Sequence, residues 1–173
     1  MQTYILFFCC LFSVATVHAA QTCKTDSIPA STPDNQLVDN GDGTVTDSKT
    51  GLMWKQCLEG LSGSDCATGS AESFTWQEAL QQPGVINHAG GFAGYTDWRL
   101  PNFNELISIV EEQCNAPAIN LNRFPNTPGF HVWSGSPYAP YSDYAWLVNF
   151  NDGFSDFDSR YNFYAVRLVR GGQ

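Results

Sequence analysis

Residues 138–164 read YAPYSDYAWLVNFNDGFSDFDSRYNFY, and this stretch decides between the fold classes open to the chain. Ala145 to Phe150 is a strand-length run of aromatic and branched residues. Asn151-Asp152-Gly153 follows as a hairpin turn, because these residues tolerate positive φ. Phe154 to Asp158 then returns as the partner strand. Further on, Tyr164, Val166 and Leu168 alternate with Ala165, Arg167 and Val169, the pattern of a terminal strand with one buried face.

Upstream the period changes. In FTWQEALQQ (74–82), Thr75 and Glu78 have the spacing of a capping box, and Trp76, Ala79 and Leu80 fall on one helix face. Pro83-Gly84 is expected to stop that helix. In PNFNELISIVEEQ (101–113), Asn102 is the cap, Glu105 the third helical position, and Phe103, Leu106, Ile109 and Val110 a core stripe. Earlier still, Asn40-Gly41-Asp42-Gly43 reads as a turn between strands at Val45 and Leu52-Met53-Trp54. It is not a calcium loop, since Gly41 and Gly43 interrupt the alternate acidic positions such a loop requires. Helices in the middle and hairpins late predict an α+β domain with two main helices and antiparallel hairpins.

At the N-terminus, YILFFCCLFSVATV (4–17) is too short to span a bilayer and ends near the small residues Ala19 and Ala20. It reads as a signal peptide over residues 1–19, although no Lys or Arg precedes it. Cys9 and Cys10 lack a lipobox. A polar, extended lead-in follows over 20–36, and a single domain over 37–173. Of six cysteines, Cys23, Cys57, Cys66 and Cys114 remain. Three pairings are open; Cys57 with Cys66 across a short Gly/Ser-rich loop is the economical one, leaving Cys23 with Cys114. A zinc site would want C-x-x-C spacing or nearby His ligands. The destination expected is outside the cytoplasm: periplasm, cell surface or medium, with no transmembrane span in the mature chain.

A net charge of −9 speaks against nucleic acid and sulfated polysaccharides as partners. For catalysis, only His88 and His131 survive processing, neither in a triad motif, and every remaining cysteine is committed to a disulfide. Trp133-Ser134-Gly135-Ser136 lacks the first glycine of a nucleophile elbow. The expectation is a protein that is not an enzyme. A small hydrolase with paired carboxylates is the least favoured reading.

The 138–164 segment has the composition of an antibody paratope, rigid aromatics among adaptable polar residues. Trp146, Phe150 and Tyr164 are expected to fill the core. Tyr141, Tyr144, Phe154, Phe157, Tyr161 and Phe163 are expected to face outward. With Tyr138, Ser142, Asp143, Asp156 and Asp158 they make up the candidate ligand-binding set, for a protein or glycan ligand. No cofactor is expected, although Asp152, Asp156 and Asp158 are candidate calcium ligands. An assembly subunit that oligomerises through apolar faces is the alternative.

Several motifs together resemble the Lcl C-terminal domain-like family of exported bacterial proteins: DNGDGTVTDSKTGLMW (39–54), TWQEAL (75–80), GYTDWRLPNFNELISIV (94–110), FPNTPGFHVWSGSPYA (124–139), AWLVNFNDG (145–153) and VRLVRGG (166–172). WRLPN with Glu105 and Leu106, followed by RLVR, is similar to the C-type lectin-like and formylglycine-generating enzyme fold. That resemblance implies a C-type lectin-like architecture without the enzyme's activity, since no redox cysteine pair lies near the C-terminus. Residues 138–164 ahead of VRLVRGG also resemble the variable segments of proteins diversified by retroelements. This implies a diversified surface carried on a scaffold of Trp133, Trp146, Asn149 and Gly153. Adhesins of the family bind polysaccharides through basic patches; with only 8 Lys and Arg, this chain is not expected to bind glycosaminoglycans in that way.

Overall fold

The computed structural model describes residues 20–171; the segment read as a signal peptide lies outside them. In chain order the elements are β1 (Thr22–Cys23), β2 (Leu37–Asp39), β3 (Thr44–Asp47), β4 (Met53–Lys55), β5 (Leu61–Ser62), β6 (Thr68–Gly69), α1 (Trp76–His88), α2 (Phe103–Ile107), β7 (Cys114–Asn115), β8 (His131–Pro137), β9 (Tyr144–Asn149), β10 (Ser155–Ser159) and β11 (Val169–Arg170). Helix and strand are mixed, as expected. Strands β11-β4-β3-β2 form one antiparallel sheet and β10-β9-β8 another; β1-β7 and β5-β6 are short pairs. Among the described residues no helix is long and apolar enough to cross a membrane.

Both disulfides form in the expected pairing. Cys57 and Cys66 close a short loop, and Cys23 and Cys114 face each other across β1 and β7, 91 positions apart in sequence. Closing so long a loop contributes roughly 4 kcal/mol through the unfolded chain's entropy. Polar contacts fasten the lead-in as well. The Glu111 carboxylate accepts hydrogen bonds from the Ser31 and Thr32 backbone amides, both at 2.9 Å, and from the Thr32 hydroxyl at 2.8 Å.

Both capping boxes are present. The helix ends are not where the periodicity puts them. Helix α1 runs through Pro83 to His88. The Asn87 side chain holds its last turn, donating to the Trp98 carbonyl at 2.8 Å and accepting from the Trp98 amide at 3.0 Å, while Ile86 packs on the core. That tertiary anchoring outweighs the roughly 3 kcal/mol a proline costs inside a helix. Leu80 is exposed rather than core-facing, because the buried line of α1 runs through Trp76, Ala79 and Ile86. Helix α2 ends at Ile107, five residues after its cap, since Val110 leaves the helix to bridge Ile119. Leu106, Ile109 and Val110 are buried all the same.

The expected terminal strand departs furthest from its reading. Regular pairing is confined to β11, yet residues 165–169 are all buried, on both sides. Ala165 and Val169 join a core with Leu106, Ile119, Phe124, Val132 and Val148. Val166 and Leu168 join a second core with Trp98, Trp133, Ala145 and Leu147. The segment and the β8–β9 hairpin form a wall between two apolar compartments, and a strand buried on both faces loses its polar alternation.

Arg167 lies inside that wall with no exposed surface. Its guanidinium donates to the carbonyls of Lys55 (3.0 Å) and Gln56 and to the Thr127 hydroxyl (2.7 Å), and rests over the Phe124 ring at 4.7 Å. Burial pushes its pKa down to about 9, with the Glu59 charge opposing the shift, so it stays cationic at neutral pH. Replacement by Leu strands two carbonyls and a hydroxyl away from water. Arg167→Leu is expected to lose about 3–5 kcal/mol of folding stability, read by chemical denaturation; a loss below 1 kcal/mol would show that the contacts are dispensable.

Candidate functional site

The register of β9 and β10 sorts the candidate residues. Phe157 pairs with Trp146 and Ser159 with Tyr144, whereas Asp156 pairs with Leu147 and Asp158 with Ala145. Directly opposed residues share a face. The aromatic members therefore point away from the compartment holding Leu147 and Ala145, and the two aspartates point toward its edge.

On the aromatic face, six rings form one connected network. Phe157 stacks on Tyr138 with centroids 3.9 Å apart and planes 4° from parallel. Trp146 meets Tyr138 and Phe157 edge to face at 4.9 and 5.9 Å, and stacks on Phe103 at 4.6 Å. Tyr144 lies 6.1 Å from Phe157 and 5.7 Å from Tyr141. Phe103 also packs against the first core, so the network is rooted in the interior at one end and reaches solvent at Tyr141 and Phe157. Each such pair is worth about 0.5–1.5 kcal/mol beyond its burial, which holds the rings in fixed orientations.

Of the six rings expected outward, Tyr141, Phe154, Phe157, Tyr161 and Phe163 are exposed and Tyr144 is half-buried. They do not all share one surface. Tyr161 and Asp143 line a cavity beside α1, and Phe163 lines another with Phe130, His131 and Tyr164. Phe154 stands at the hairpin turn and Ser142 is exposed between β8 and β9. Of the rings expected in the core, Phe150 is fully buried and Tyr164 packs on the second core. Trp146 is a correction: it is half-buried at the centre of the surface network, because its place on β9 alternates with that of the buried Leu147. Trp146 and Phe103 are the members of the network that sequence reasoning placed in the core. The signal for Trp146 was present, since Tyr144 and Trp146 are two residues apart on one strand.

The scaffold residues behave unequally. Trp133 is buried and donates its indole N–H to the Phe74 carbonyl at 2.8 Å. Gly153 has φ +81°, and a Cβ there would come within 2.7 Å of Val110 Cγ1, so the turn requires glycine.

On the opposite face Asp158 accepts hydrogen bonds from the Tyr164 hydroxyl, from Asn162 at 2.9 Å and from the Ser159 amide at 2.6 Å. Asp156 lies 4.0 Å from His131 Nε2. Asp152 accepts from the Phe154 amide. The three aspartates are thus occupied separately. Among the described residues no group of three or more His, Cys, Asp or Glu side chains is arranged to hold a metal ion. At the earlier turn, Asp39 and Asp42 accept from the amides of Gly41 and Thr44.

Partial desolvation would raise the Asp158 carboxyl, but the hydrogen bonds from Tyr164, Asn162 and Ser159 outweigh it and lower the pKa. Burial, then Asp158, push the Tyr164 phenol up to about 12. The Glu59 carboxyl is raised by burial, against the pull of Lys55 at 2.7 Å. It is buried within an ion pair and does not line the neighbouring cavity around Phe92.

A disulfide-bonded α+β domain with a connected network of aromatic rings on one sheet face defines the class. Residues 43–170 match the model of the Lcl C-terminal domain, and the chain belongs to that family. Comparison with curated proteins gives no match.

Because the folded pKa of Asp158 is depressed, its contribution to stability is complete above the ordinary aspartate value of 3.8 and is lost as pH falls below it. Tyr164→Phe is expected to raise the Asp158 pKa toward 3.8 and to cost about 1 kcal/mol. Carboxyl carbon shifts followed by NMR titration measure the first and denaturation the second; an unchanged Asp158 titration would show that the phenol does not hold the charge.

Proposed function

We propose that this protein is an exported binding module, not an enzyme, and that the aromatic face of the β8–β9–β10 sheet recognises a protein or glycan ligand. The observation that carries the reading is the six-ring network ending in exposed Tyr141 and Phe157. Rigid rings give large contact area with little entropy left to lose on binding. Neighbouring Ser142, Ser155 and Ser159 add hydrogen-bonding groups that fit either ligand class.

The disulfides support export, since such bonds persist in oxidising compartments. All four cysteines outside the signal segment are paired, which leaves them unavailable as thiolate nucleophiles. The two-compartment arrangement around a late hairpin supports a C-type lectin-like architecture. Concentration of exposed rings in 138–164, a segment whose hairpin turn demands Gly153, supports a surface whose residues vary while its frame does not. A near-identical template repeat and a reverse transcriptase beside the gene would establish diversification, and absence of both would remove it.

The test is a glycan and protein array probed with the purified protein and with a Tyr141→Ala/Phe157→Ser variant. Hits on the native protein should weaken at least tenfold in the variant, as expected when aromatic anchors are lost, while circular dichroism shows the variant still folded at the assay temperature despite the melting temperature lost with its ring pairs. Undiminished binding would place recognition elsewhere. Self-association that the double variant abolishes would assign the face to assembly.

A further inference from the structure

Arg160 differs from the chain's other arginines. Arg99, Arg123 and Arg170 each face a carboxylate, at 2.7, 3.9 and 2.7 Å from Glu105, Asp34 and Asp97. Arg167 is sealed among two carbonyls and the Thr127 hydroxyl. Arg160 forms no salt bridge among the described residues. Yet it is held firmly. Its Nε donates to the Tyr144 carbonyl at 3.1 Å, its amide donates to the Asp143 carbonyl at 2.8 Å, and its guanidinium lies 4.2 Å over the Trp76 ring. The Trp76 indole is fixed in turn, donating to the Ser134 carbonyl at 2.9 Å. Among the described residues the two terminal nitrogens of Arg160 have no hydrogen-bond partner.

This guanidinium lines a surface cavity of about 430 Å³ with Trp76, Leu80, Asp143 and Tyr161. In a chain of net charge −9, Arg160 is an oriented cationic fork with no carboxylate of the described residues in salt-bridge contact, although Asp143 lines the same cavity. A guanidinium presents paired donors that match a carboxylate bidentately. Asp143, an acceptor on the same wall, suits an N–H close to that carboxylate, and Leu80 and Tyr161 offer apolar surface for a side chain.

We propose that the Arg160 cavity binds the C-terminal residue of a peptide. The terminal carboxylate lies on Arg160, the last amide N–H faces Asp143, and an apolar side chain rests against Leu80 and Tyr161. The site lies beside the aromatic face, joined to it through the Tyr144 carbonyl, but its lining uses none of the six rings and it does not depend on their function.

N-acetylphenylalanine, N-acetylphenylalaninamide and glucuronate, titrated into the purified protein while the Trp76 indole and Arg160 Nε resonances are followed by NMR, test it. The free acid should shift both signals and bind at least tenfold more tightly than the amide and than glucuronate. Arg160→Gln should lose that binding at least tenfold, and Arg160→Lys should recover only part of it. The Tyr141→Ala/Phe157→Ser protein should bind the acid as the native one does, so failure of the aromatic-face reading remains separate. Equal binding of acid and amide, equal binding of glucuronate, or full binding by Arg160→Gln would each overturn the proposal.

Discussion

The charge of Arg167, enclosed in the wall between two apolar cores, is the constraint on which the rest of the structure depends. A cation removed from water is tolerated only where its donors find acceptors of fixed geometry. Here they are the carbonyls of Lys55 and Gln56 and the hydroxyl of Thr127, groups 111 and 40 positions away for Gln56 and Thr127. One side chain thereby ties the C-terminal segment to the end of β4 and to the loop before β8. Its Nε is left without a partner among the described residues, a penalty that the packing of both compartments has to outweigh. What the arrangement secures is position: Val166 and Leu168 are committed to one core, Ala165 and Val169 to the other.

That fixed wall gives the late hairpin its two different faces. Val132 and Val148 sit in the first core, Trp133 and Leu147 in the second, so both surfaces of the sheet are covered near its centre. Toward the Tyr144 end the cover from α2 runs out after Phe103, and the rings of Trp146, Tyr138 and Phe157 continue the packing into solvent. The surface network is thus an extension of the core, and its rings are held by the contacts that make the interior rigid. A register slip of one residue would exchange Phe157 for the aspartates on this face.

Much of this was legible in the residues, and most of the departures share a cause. Both capping boxes, the turn at Asn151-Asp152-Gly153, the disulfide pairing and the outward rings depend on local chemistry or on parity along one strand. Pro83 predicts the end of α1, yet Asn87, bonded to Trp98 eleven positions on, holds the helix beyond it. The apolar stripe predicts a longer α2, yet Val110 has a bridge to Ile119 that a helical continuation would forfeit. Alternation sets Arg167 with Ala165 and Val169 opposite Tyr164, Val166 and Leu168 on a strand with one buried face, and nothing near it in sequence announces the carbonyls that receive it. Each of these three is a contact between separate segments overriding a local preference; the half-burial of Trp146, by contrast, follows from parity along β9. The site divides in the same way. Exposure of individual rings followed from alternation, but their separation into a network, an α1 cavity and an opposite edge followed from packing.

The chain's acidity also has a mechanical reading. Strand β10 is the free edge of its sheet and carries Phe157, so its unpaired backbone and its ring both invite pairing with another chain. Asp156 and Asp158 flank that ring in sequence and project from the other face, where a second copy docking edge to edge would bring like charges together. Asp158 is kept ionised by Tyr164, Asn162 and the Ser159 amide, so this repulsion persists in mildly acidic surroundings. Aromatic exposure on one face and carboxylates on the other are therefore complementary parts of one design. The first permits contact through side chains, and the second discourages the backbone pairing that would bury the same strand in an aggregate.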